Sequence, residues 1–230
     1  VRQVGVDLVA LAVVRSERQH SRGVDPTPDR VLGFLEIEAA TVPVRADFAE
    51  SHDRFWRRLA RPGAWWTGAE RVAIAREARA AESCAHCQRR QAALSPHTVA
   101  DGLSDGHYVE LVGTVVALSL PPHPLPVAEP GAPTRYRPAS AGPDEAWVPM
   151  VPLDKADTPE ADLWPAERTG NVIRALSLVP DEVRTLADLS AVHYLENTCV
   201  RDPAATQGSL SRPQMELLAG PVSALNQCIH

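Results

Sequence analysis

"TGAERVAIAREARAAESC", from Thr67 to Cys84, is the stretch that decides how this chain folds. Thr67 is followed three positions later by Glu70, the pattern of a capping box. In such a box the hydroxyl accepts from the N–H at the third helical position, and the carboxylate answers the N–H of the cap. A helix of three to four turns separates the cap from the cysteine. A second stretch, "SRPQMELLAGPVSALNQC" from Ser211 to Cys228, repeats the plan with Ser211 and Gln214. In both, the cysteine stands 17 residues after the cap. The coincidence of cap, length and cysteine reads as a duplicated helical unit. Two such units can bury their apolar faces against each other, as the subunits of a symmetric dimer do.

Outward from these helices the pattern stays helical. "DFAESHDRFWRRLA" places Phe48, Phe55, Trp56 and Leu59 roughly on one helix face. "SDGHYVELVGTVVAL", residues 104–118, does the same with Tyr108, Leu111, Val112 and Val115. "TPEADLWPAE", "GNVIRALSL" and "PDEVRTLADLSAVHYL" read as further helices, the last with Pro180 at a first helical position and Asp181 and Glu182 behind it. Between the two groups, residues 119–152 are dense in proline and have no period, as in an extended connector lying on the helices. No stretch alternates as a half-buried strand would. The expectation is an all-α protein: a first unit over 1–118, a Pro-rich connector over 119–147 and a second unit over 148–230.

Composition narrows the function classes. The 230 residues carry a net charge of −6 and 44% hydrophobic residues, enough for a core. Among 23 basic residues Lys155 is the only lysine, and no basic block forms a nucleic-acid footprint. Aromatic residues at 5% are too few for a base-stacking surface. The apolar "VDLVALAVV" near the start is interrupted by Asp7, so neither a membrane span nor an export signal is expected. Four cysteines, at 84, 87, 199 and 228, do not make a disulfide scaffold. A reducing cytosol is the expected compartment.

"ESCAHC", residues 82–87, concentrates the chemistry. Three readings fit Cys84 and Cys87. As a redox pair, Cys84 attacks as a thiolate and Cys87 resolves the sulfenic acid to a disulfide. Such a site must lower a thiol pKa from roughly 8.5. Ser83 is placed to cap a helix beginning at Cys84, a protonated His86 would favour the thiolate, and Glu82 either takes the proton or opposes ionisation, depending on its direction. As a metal site, Cys84, Cys87, Cys228 and His230 would form a Cys₃His set for structural zinc. As core residues, the two thiols are small and inert. His107 and His193 read as core or edge histidines, Cys199 as a lone thiol, and Trp65–Trp66 as a staple or interface anchor ahead of a substrate wall. Asp105 and Glu110 read as a solvated helix face. No phosphate loop, nucleotide fingerprint or Ser-His-Asp set is evident, and no cofactor is called for.

"MELLAGPVSALNQC" resembles the cysteine-bearing helix of the alkylhydroperoxidase D and carboxymuconolactone decarboxylase-like superfamily. "GNVIRALSLVP" resembles its Asn-containing turn and helix, and "GLSDGHYVELVG" the helix that follows its CxxC helix. The family pattern sets a Glu twelve residues before the first Cys and a His four after the second; Glu216 stands twelve before Cys228. The resemblance implies an all-helical oligomer whose CxxC reduces a hydroperoxide and is re-reduced by a dithiol or a partner protein. With the local reading of Glu82 and His86 added to the Cys84, Cys87, Glu216 and Cys228 that the resemblance implies, the candidate catalytic set is Cys84, Cys87, His86, Glu82, Glu216 and Cys228. Two departures stand out: Val72 and Gln91 occupy the relay positions around Cys84 and Cys87. Pro221 interrupts the second helix, and the second cysteine of that motif would fall one residue past His230.

Overall fold

A computed structural model describes residues 45–85, 100–118, 124–155, 157–164, 169–195, 199, 202–207 and 209–225. The protein is helix-rich and all-α in character. Its described elements are α1 (Ala46–Ala60), α2 (Gly68–Ser83), α3 (Asp105–Ala117), α4 (Asn171–Arg174), α5 (Pro180–His193) and α6 (Arg212–Leu225). One small antiparallel hairpin joins β1 (Thr206–Gln207) and β2 (Leu210–Ser211), a feature without any alternating signal in the sequence.

The capping box is present as expected. Glu70 N–H donates to Thr67 Oγ1 at 3.3 Å, and Glu70 Oε2 accepts from the Thr67 N–H at 2.7 Å. It fixes the start of α2, whose buried residues Arg71, Ile74, Ala75, Ala78 and Ala81 recur at helical spacing. At the repeat, Gln214 Oε1 accepts from both the N–H and the hydroxyl of Ser211. That leaves α6 starting directly behind β2. Pro221 lies inside α6, which continues to Leu225. The interruption expected there does not end the helix, although the proline removes one backbone donor.

Four helices close a ring: α1 touches α2 and α5, and α3 touches α2 and α5. α3 is the most enclosed, with residues on several sides buried, including Tyr108, Leu111 and Thr114. The core joins Phe55, Leu59, Ile74, Leu111, Leu178 and Val183 in one cluster. Each such side chain contributes on the order of 1.5–3 kcal/mol through burial.

Two segments differ from the sequence expectation. Residues 157–164 are turns rather than a helix. There the buried Lys155 ammonium donates to the carbonyls of Ala161 and Trp164, tying the chain into a tight loop. α4 is a single turn continued by turns through Leu178, with Ser177 Oγ donating to Arg174 O and accepting from Val151 N–H.

The described part of the Pro-rich stretch is extended, as expected, but it is hydrogen-bonded along its length. Glu129, Thr134 and Arg135 donate backbone N–H bonds to Ala60, Gly63 and Ala64 at 2.7, 3.1 and 2.7 Å. Trp56 Nε1 donates to Pro124 O at 2.8 Å. Prolines suit this strip because each one removes a donor that would otherwise need a partner.

Candidate functional site

Cys84 is the C-cap of α2, half-buried, with its N–H donating to Ala81 O. Ala85, immediately after, is helical again. The break therefore falls one residue later than Ser83 as a cap would place it. Ser83 is the last residue of α2 and belongs to a run of good helix formers that carries the helix through it. Glu82 lies in the last turn of α2. His86, Cys87, Gln91, Cys228 and His230 lie outside the described residues. Of the zinc set, only Cys84 is therefore described. No disulfide joins Cys84 to Cys199, the other described cysteine. Val72, at the relay position, is buried in the core near the opposite end of α2. Glu216 is exposed on α6 and accepts from Arg212 at 2.7 Å, one helical turn away.

The most buried ion pairs among the described residues lie at the N-terminal end of α2. Arg71 Nη1 donates to Glu110 Oε1 of α3 at 2.5 Å and to Glu182 Oε1 of α5 at 2.9 Å. The three side chains are 5%, 0% and 2% exposed. Glu110 is thus a buried ligand of Arg71 and not part of a solvated helix face. The sequence carries a signal for this: Glu110 and Arg71 sit among apolar residues at helical spacing, where a charge signals a buried partner. Glu110 Oε2 also accepts the Trp65 N–H at 2.6 Å. Burial alone would lower the Arg71 pKa, but the charges of Glu182 and Glu110 more than offset it, and the guanidinium is held above its ordinary value. Burial raises Glu182, and the neighbouring Glu110 charge adds to that against the pull of Arg71.

Two glycines make room for these groups. A Cβ on Gly63 would sit 1.9 Å from Glu110 Oε1, and one on Gly113 would sit 2.6 Å from Glu182 Cβ. Beside the triad opens a cleft of about 260 Å³ between the ends of α1, α2 and α5, lined by Arg58, Arg61, Arg71, Glu182, Arg184 and Thr185.

The Trp pair resolves into two roles. Trp66 is buried and its Nε1 donates to His107 O; Trp65 is half-buried against the His107 ring and Arg135. His107 Nδ1 is 2.7 Å from Ser104 Oγ, a spacing that suggests a nucleophile and its base. Arg135 Nη1 lies 3.0 Å from His107 Nε2, however, and an arginine only donates. The ring proton is therefore on Nδ1 and donates to Ser104, so this histidine does not activate that hydroxyl. Burial, followed by the Arg135 charge, lowers the His107 pKa. His193 is an edge histidine, one of the two readings: it is exposed at the end of α5 and hydrogen-bonds His52, Nε2 to Nε2, at 2.8 Å.

Among the described residues no helix is long and apolar enough to cross a membrane, and no cluster of three metal-ligating side chains occurs. No family model, no curated protein and no solved structure matches this chain.

Proposed function

We propose that the protein is a cytosolic thiol-dependent peroxidase of alkylhydroperoxidase-like fold, working through Cys84 and Cys87. The observation that supports this reading is the position of Cys84. It is a half-buried thiol at the C-cap of α2, where the helix ends and the side chain is not sealed in the core.

In the proposed cycle the Cys84 thiolate attacks the distal oxygen of a hydroperoxide. The O–O bond breaks, the alkoxide leaves with a proton as the alcohol, and Cys84 becomes a sulfenic acid. The Cys87 thiol then displaces hydroxide, releasing water and closing the disulfide. A dithiol or a protein reductant restores both thiols. Glu82 and His86 are the proton-handling groups in this scheme. Glu216 and Cys228 belong to the second unit, brought near by a homo-oligomer.

The test is peroxide consumption with a dithiol reductant. Cys84→Ser is expected to abolish it and Cys87→Ser to leave a trappable sulfenic acid. Parental turnover in Cys84→Ser would end the reading.

A second reading, a non-catalytic helical oligomerisation module, is favoured by Leu217, which is 74% exposed on α6. Thiols that label slowly and only in denaturant, together with oligomers in light scattering, would select it.

A further inference from the structure

We propose that Arg71, Glu110 and Glu182 hold a single proton among them, carried on Glu182, and that its loss as the pH rises unlocks the α2–α3–α5 joint and turns Glu182 out into the adjoining cleft.

The first support is charge count. One guanidinium and two carboxyls are each at least 95% buried, so two ionised carboxylates would leave a net negative charge out of water. Such a charge is far costlier than a neutral acid in the same place. The second support is hydrogen bonding. Glu110 uses both oxygens as acceptors, from Arg71 and from the Trp65 N–H, as a carboxylate does. Glu182 accepts only at Oε1, and its Oε2 is buried with no partner among the described residues, against Gly113. The proton therefore belongs on Glu182.

The third support is space. Glu182 lines the cleft together with Arg58, Arg61 and Arg184, which are more exposed than Arg71. A neutral Glu182 stays packed on Gly113. An ionised one is drawn towards these three guanidiniums and water.

The charged groups facing Glu182 are Arg71 from α2, Glu110 from α3, Arg58 and Arg61 at the end of α1, and Asp181 and Arg184 from its own helix. Asp188 lies further along the α1–α5 seam, paired with Arg54 and Arg58. The sign follows from Glu182 being raised in the folded state. The stability it contributes is full below the ordinary glutamate range and is lost as the pH rises through its folded value. The device is independent of the thiol chemistry.

Carbon-13 labelling of the glutamate side-chain carboxyls reads the proton directly in the unmodified chain. At neutral pH one glutamate is expected at the shift of a protonated acid. It should move to the carboxylate position at higher pH, while backbone amides of α2, α3 and the start of α5 shift with the same midpoint. The signal should vanish in Glu182→Gln and persist in Glu160→Gln, a glutamate outside the triad that is also wholly buried. Carboxylate shifts for every glutamate at neutral pH overturn the proposal. So does loss of the signal in Glu160→Gln, or a titration that leaves the amides still. The wild-type spectrum and the Glu160 variant decide the matter even where Glu182→Gln does not fold.

Discussion

Arg71 and Glu182 are 111 positions apart in the chain and meet at 2.9 Å, joining α2 to α5 across the ring of four helices. Removing the cation leaves two buried carboxyls without their donor. Arg71→Met is expected to destabilise the fold by about 3–5 kcal/mol, read as a lower denaturant midpoint. Replacing all three residues by apolar ones of similar volume is expected to recover most of that loss. If the single variant is neutral, the triad does not hold the helices together.

Gly63→Ala and Gly113→Ala both drive a methyl into the triad, at 1.9 Å from Glu110 Oε1 and 2.6 Å from Glu182 Cβ. Each is expected to cost about 1–3 kcal/mol by overpacking. Gly142→Ala meets nothing within 4 Å and serves as the comparison. Equal unfolding midpoints for the three variants would contradict the packing described.

Thr67→Ala removes one half of the capping box that starts α2. The expected loss is about 1 kcal/mol. Thr67→Ser keeps the oxygen and should recover most of it. Thermal unfolding followed by circular dichroism measures both.

His107 gives a pH effect of opposite sign to Glu182. Its folded-state pKa is lowered, by burial first and then by the Arg135 charge. Its contribution is therefore full above the unfolded histidine range and is lost as the pH falls through the folded value. His107→Gln should flatten stability below neutral pH, and Arg135→Gln should raise the His107 midpoint in an NMR titration. An unchanged midpoint in the Arg135 variant would remove that charge as a cause.

The sequence by itself determined the helices whose signals are local. The Thr67–Glu70 box and the apolar spacing after it placed α2 to within a residue, and Pro180 with two acids behind it placed the start of α5. These signals act within one or two turns, so a linear chain displays them. The loop around Lys155 escaped because carbonyls of Ala161 and Trp164 satisfy a buried ammonium that composition alone assigns to the surface. The role of Glu110 was also decided only in three dimensions. A charge amid apolar residues is bearable only with its counter-charge, and those partners lie on α2 and α5, 39 positions before it and, through Arg71, on Glu182. Which charges are buried depends on which helix faces meet, and helix packing, not local propensity, sets that.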